Sequence, residues 1–183
     1  MKSHQYFYHE GTNRLQAAGT VTYGPEVDLE QTLRRYQADG ALVVLAQEDG
    51  TPLGFTSAAG YYRLYTDDDG AFSYYACNEH TSHPDEADVL VSADMTQASV
   101  VFDRGEFLVD LGHDVPLVSR IARLAMVESF TYLLGIADAT SEAPFVNMHL
   151  PVLGTIVRSG DEARLRLHMI GWAVDNAARM PLF

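Results

Sequence analysis

Between Asp28 and Ala38 the apolar positions Leu29, Leu33 and Tyr36 recur at spacings of four and three, which is one face of a helix. Gly40 follows, where a helix end commonly takes a left-handed residue. The period then changes to that of extended chain. ALVVLAQ (41–47), LGFTSA (53–58), YYRLYT (61–66) and AFSYYAC (71–77) are short β-prone runs separated by EDGTP, AG and DDDG, each a turn sequence. This pattern predicts a four-stranded meander. DVLVSA (88–93), ASVVFD (98–103) and EFLVD (106–110) predict three more strands, joined by connections too short for crossover helices and therefore mostly antiparallel.

After Pro116 the run VPLVSRIARLAMVESFTYLLG predicts the longest helix. Val118, Ile121, Ala122, Ala125, Tyr132 and Leu133 fall on one side, with Arg120, Arg123 and Thr131 opposite, and Gly135 is placed to end it. Residues 1–18 read as an irregular arm or a short edge strand, with His4 and His9 in solvent, and GTVTYG (19–24) is β-branched and aromatic. Residues 151–183 form a C-terminal extension with two equal readings. RLRLHM (164–169) alternates as a strand does, while Ser159 and Glu162 stand at the spacing of a helix capping box. With no repeat and no linker, residues 1–183 are expected to form one α+β domain: a curved, mostly antiparallel sheet of six or seven strands on one long helix, with an N-terminal helix and a C-terminal extension.

Charge narrows the function classes. With 25 acidic and 12 basic residues among 183, the formal net charge is −13. Such a field repels phosphate backbones and steers in cationic surfaces, so the expectation is no direct nucleic-acid binding and a basic protein partner, with a simple solubility margin as the plainer account. Cys77 is the only cysteine, so no intrachain disulfide can form. It reads as a small hydrophobe rather than a nucleophile. The first residues lack the apolar core of a signal peptide and no run reaches membrane-spanning length, so the expected compartment is the cytoplasm.

Catalytic chemistry finds little support. Calcium loops need oxygen ligands spread over about a dozen residues, which the adjacent Asp67, Asp68 and Asp69 do not supply. His80 and His83, with Asp85, Glu86 and Asp88 close behind, could begin a metal site only with further ligands from elsewhere, and solvated loop histidines are the commoner case. No nucleophile elbow or phosphate-cradling glycine loop occurs. The expectation is therefore no enzyme, no cofactor and no metal, with a metal-dependent or small-molecule enzyme built on the His80/His83 loop as the alternative. The Asp-Gly at 69–70 suits a tight turn, which leaves Asp67 and Asp68 unexplained by the turn alone. Tyr61, Tyr62, Tyr65, Phe72, Tyr74 and Tyr75 crowd the flanking strands, where alternation sends some to the core and some to the wetter face. Tyrosine beside carboxylates is a composition suited to binding, although cross-strand packing explains any single one.

The ordered set VDLEQTLRRYQ, LGFTSA, YYRLYTDDDGAFSYYA and DVPLVSRIARLAMVESFTYLLG resembles the Imm1 family of bacterial immunity proteins over residues 27–150. In that family a short "ipv" segment leads into a helix of form A-x-x-A-x-x-x-F-x-x-x-G. Val115-Pro116 takes the first place here, with Ala122, Ala125, Phe130 and Gly135 in or near the helix pattern. The resemblance implies a cytoplasmic antidote that binds a cognate secreted toxin, often a nucleic-acid deaminase or nuclease, and covers its active site. On this reading Asp67, Asp68 and Asp69, with Glu79, Asp85 and Glu86 of the next loop, form an acidic rim, and Tyr65, Tyr74 or Tyr75 anchor the partner.

Overall fold

The computed structural model describes residues 1–9, 14–77, 87–102, 105–139, 145–150, 154–159 and 164–167. They form an α+β arrangement with two helices and three antiparallel sheets. The largest sheet holds β1 (Lys2–His9), β2 (Arg14–Thr22), β3 (Leu42–Ala46), β4 (Pro52–Thr56), β5 (Tyr61–Thr66) and β6 (Phe72–Ala76), in the order β2-β1-β3-β4-β5-β6. The helix α1 (Leu29–Ala38) lies between β2 and β3 in the chain.

The four-strand meander is present as β3 to β6. The N-terminal segment differs from expectation, because β1 is neither an arm nor an edge: it pairs with β2 on one side and β3 on the other. Its sequence KSHQYFYH mixes polar and aromatic residues, and Ser3 and Tyr6 contribute to covered surfaces.

Capping chemistry fixes α1. The Asp28 carboxylate accepts from Gln31 N at 2.7 Å, satisfying an orphan N–H of the first turn. At the other end Gly40 N donates to Gln37 O at 3.0 Å, and Gly40 itself adopts φ +70°. Leu33 is fully buried on this helix and packs with Val43, Leu45 and Tyr61, with Leu29, Tyr36 and Cys77 around them.

The opposite face of the sheet is covered by α2 (Leu117–Ala139). Val44, Phe55, Tyr62 and Leu64 meet Ile121, Ala122, Leu124, Ala125, Met126 and Val127 there. Because β3 is covered on both faces, all five of its residues are buried, and it reads LVVLA without alternation.

Two corrections follow from the surroundings of α2. The strands β7 (Ala87–Val91), β8 (Gln97–Phe102) and β9 (Gly105–Asp110) do not extend the first sheet but make a second, three-stranded one. Both α2 and the β7–β8 turn pack on it, with Met95, Ala98 and Leu111 joining the same core. Helix α2 therefore has protein on more than one side, and residues 121–129 are all buried. Arg123 and Thr131, expected opposite the apolar side, are buried as well: Arg123 Nη1 donates to Leu111 O at 2.9 Å and Thr131 Oγ1 to Val127 O at 2.9 Å. Arg120 donates to Asp94 O at 2.8 Å and to Val115 O at 3.3 Å, clamping the β7–β8 turn to the start of the helix. Gly135 does not end α2, which continues to Ala139.

A third sheet, β10 (Phe145–Leu150), β11 (Gly154–Ser159) and β12 (Arg164–Leu167), follows, so residues 164–167 take the strand reading. The capping-box partner Glu162 lies outside the described residues. Among the described residues no helix is long and apolar enough to cross a membrane.

Candidate functional site

The β5–β6 hairpin carries the residues singled out from the sequence. Its register pairs Arg63 with Tyr75, Leu64 with Tyr74, Tyr65 with Ser73 and Thr66 with Phe72. Strand alternation then divides the tyrosines. Tyr62 and Tyr74 point to the α2 side, whereas Arg63, Tyr65 and Tyr75 point to the α1 side, beyond the reach of α1 itself. Tyr65 is 51% exposed and Tyr75 48%, against 3% for Tyr62. The Tyr65 and Tyr75 rings are diagonal neighbours with centroids 5.9 Å apart, tilted by 49°. Two aromatic rings are thus held side by side in solvent on paired strands.

Tyr74 is not part of that surface. Its ring packs edge-on against Phe55 at 5.5 Å and Tyr62 at 5.7 Å, and its hydroxyl donates to Glu128 Oε1 on α2. Of the three candidate anchors, Tyr74 stands apart for a geometric reason: the register that exposes Tyr75 turns Tyr74 toward α2. Tyr62 stacks on Phe55 at 4.7 Å and donates to Glu128 Oε2 at 3.5 Å. Burial first, and the facing Glu128 carboxylate second, push the Tyr62 and Tyr74 hydroxyls far above the usual tyrosine range, so both are held as neutral donors.

Glu128 was not singled out from sequence, yet a signal was there. It stands seven residues after Ile121 and three after Ala125, so helical periodicity places it on the apolar stripe. A carboxylate in that position needs buried donors, and the tyrosines that alternation sends inward supply them. Ser129 beside it accepts from Ala58 N at 2.9 Å, tying the β4–β5 turn to α2. This polar cluster is closed between helix and sheet, and its chemistry is that of an anchor.

The acidic tip works differently from the sequence reading. Asp67 N donates to Ala71 O at 3.0 Å and Gly70 N to Asp67 O at 3.0 Å, with Gly70 at φ +83°. This is a three-residue loop in which Gly70 alone takes the left-handed conformation. The Asp67 carboxylate accepts from Asp69 N at 3.0 Å and Ala71 N at 2.8 Å, so the first aspartate builds the turn. The carboxylates of Asp68 and Asp69 are not used by it, and both residues are exposed. The β3–β4 loop repeats the geometry with Gly50 at φ +89° and Gln47 N donating to Thr51 O at 2.8 Å.

Cys77 is half-buried at the edge of the α1-side cluster. Burial and the nearby Glu30 carboxylate raise its thiol pKa, the opposite of what a nucleophile needs. Glu79, Asp85 and Glu86, and the alternative ligands His80 and His83, lie outside the described residues. Among the described residues no group of three or more His, Cys, Asp or Glu side chains could hold a metal ion. The structure thus brings Tyr65, Tyr75, Asp67, Asp68 and Asp69 together on one hairpin and separates Tyr74 from them. No family model, curated protein or solved structure matches the chain.

Proposed function

We propose that the chain is an Imm1-like immunity protein: a cytoplasmic binder that inactivates a cognate secreted toxin, a nucleic-acid deaminase or nuclease, by covering its basic active-site face. On this reading residues 27–150 are the immunity-like core, a curved sheet carrying a long helix, and 151–183 are an appended extension. The observation that carries it is the side-by-side exposure of Tyr65 and Tyr75 at the root of a hairpin whose tip presents Asp68 and Asp69 beyond the needs of the turn.

Two physical contributions support the reading. The net charge of −13 gives long-range attraction to a cationic groove, which acts on the association rate. Tyrosines already fixed by cross-strand contact lose little side-chain entropy on binding, which slows dissociation. The partner is first identified by capture on the tagged protein from its native host, or with the product of the neighbouring gene, with washes at low and high salt. Binding kinetics then separate the two parts of the surface. The double variant Asp68→Lys/Asp69→Lys should lower the association rate about tenfold or more at low salt and converge on wild type at high salt. The variants Tyr65→Ala and Tyr75→Ala should each raise the dissociation rate, costing more than about 1 kcal/mol. Wild-type rates in all three variants at low salt would remove the surface from consideration.

A further inference from the structure

Arg63 lies within the tyrosine surface of the β5–β6 hairpin. It is the only basic residue between Tyr61 and Cys77, in a segment that also holds Asp67, Asp68 and Asp69. The register fixes its neighbours. Arg63 is opposite Gly54 of β4 on one side and opposite Tyr75 of β6 on the other, and Tyr65 follows two residues along β5 on the same face. Gly54 has no side chain, and Leu33 of α1 sits over it. Arg63, itself exposed, thus stands between the part of the face that α1 covers and the two exposed rings.

The charge of Arg63 is not neutralised by the hairpin's own aspartates. Among the described residues the ion pairs are those of Glu48 with Lys2 and with the N-terminal amine, and Arg63 forms none. Beside burial, Glu30 raises the Cys77 thiol pKa and Arg63 lowers it, so both charges lie near that end of β6 without closing on each other. On a surface that draws in a cationic groove, a lone cation at this place opposes the attraction. Arginine flanked by tyrosines is also the composition that dominates interface energies. A guanidinium offers only donors, in a planar fork that matches a carboxylate with two parallel hydrogen bonds.

We propose that Arg63 is a specificity-determining contact, pairing with a carboxylate set within the otherwise cationic face of the partner. The inference rests on the immunity reading and adds to it the chemistry that the partner must show at the centre of the contact. Sites that process nucleic acids combine the two charges. Cations hold the phosphates, while a carboxylate transfers protons, as the glutamate of base deaminases does, or holds a metal ion. Asp68 and Asp69 stand where phosphates would lie, and Arg63 meets the carboxylate. The tyrosines on its flank exclude water from that pair and strengthen it.

Binding kinetics of the captured partner with variants of the full chain test this through a sign. If the surface worked by net charge alone, Arg63→Ala would bind faster and more tightly, because it removes the hairpin's only cation. The expected result is an association rate at low salt that stays equal or rises by up to about twofold, with a dissociation rate about tenfold higher or more. Arg63→Lys keeps the charge but loses the fork and should recover only part of the loss. Changing the partner's active-site carboxylate to its amide should cost the wild-type chain about tenfold in affinity and Arg63→Ala far less. Thermal melts of the free variants should overlay wild type, since the position is exposed. Tighter or unchanged binding by Arg63→Ala overturns the proposal and leaves the immunity reading in place, as does an equal loss in both backgrounds from the partner's amide variant. Failure to capture any partner at low salt removes the immunity reading and this contact with it.

Discussion

Replacing Tyr74 with phenylalanine deletes one oxygen from a site where shape is otherwise preserved, so its effect isolates the hydrogen bond from the Tyr74 hydroxyl to the Glu128 carboxylate. The ring keeps its packing on Phe55 and Tyr62. What changes is the solvation of Glu128, 1% exposed on α2, which loses a close donor and retains the longer one from Tyr62 at 3.5 Å. Hydrogen bonds to charged groups contribute about 1.5–3 kcal/mol, and this one is buried between helix and sheet, so a loss of about 2–3 kcal/mol is expected. For a chain of this size that corresponds to a fall in Tm of roughly 4–12 °C. Urea unfolding followed by circular dichroism should show a lower midpoint with an unchanged slope, because the buried area is the same. Tyr75→Phe, at an exposed hydroxyl, is the internal control and should stay within about 0.5 kcal/mol of wild type. The cycle with Glu128→Gln should return a coupling of about 1 kcal/mol or more between positions 74 and 128. If Tyr74→Phe unfolds at the wild-type midpoint, or costs as much in the Glu128→Gln background as alone, the anchor described here does not exist.

The same pair sets an alkaline limit. Tyr62 and Tyr74 are held above the ordinary tyrosine value of 10.0, so above about pH 10 the unfolded chain releases protons that the folded chain keeps. Stability from this source is full below pH 10 and falls as pH rises beyond it, by up to about 1.4 kcal/mol per pH unit for each hydroxyl. Denaturation curves collected from neutral pH upward should be flatter for Tyr62→Phe/Tyr74→Phe than for wild type, and parallel curves would contradict the assignment. Gly54→Ala tests the docking of α1, because a Cβ there would lie 2.6 Å from Tyr62 O and 2.7 Å from Leu33 Cδ1. The strand carbonyl cannot yield, so a loss of about 1–3 kcal/mol is expected, with faster amide exchange in α1; wild-type exchange and stability would show that the contact relaxes freely.

What was legible in the sequence was what local pattern determines. The capped helix at 29–38, the meander from Leu42 to Ala76 and its turns each rest on periodicity and glycine placement within a few residues, and each is present. The partition of strands among sheets was not legible, since β7 to β9 look like a continuation of the meander until α2 is seen to lie between two sheets. Arg123 and Thr131 were misplaced for the same reason. A helix with one covered face has a polar back, but one covered on more sides must satisfy its polar residues internally, as Arg123 does on Leu111 O. β1 was obscured because its first half, Lys2 to Gln5, is polar although Ser3 is fully buried, so no apolar alternation marks the strand. In the candidate site, the tyrosine crowding was visible but its split was not, because one step of register decides whether Tyr74 or Tyr75 faces solvent. The aspartate triplet was misassigned within itself. The Asp-Gly pair drew attention to Asp69, whereas the observed loop draws on the Asp67 carboxylate, whose backbone partners two and four residues on are fixed only by the loop's conformation.

The position of α2 in the chain has a consequence for synthesis. The sheet surface formed by Val44, Phe55, Tyr62 and Leu64 is complete once β5 has been made, but the helix that covers it does not begin until Leu117. At about 5–20 residues per second, the intervening stretch takes several seconds to translate. For that time every nascent copy carries an apolar sheet face with an open β2 edge beside it, while Tyr62 and Tyr74 wait for the carboxylate that will hold them. The newborn chain is therefore most in need of a chaperone, or of simple dilution, in the interval between its fifth strand and its second helix.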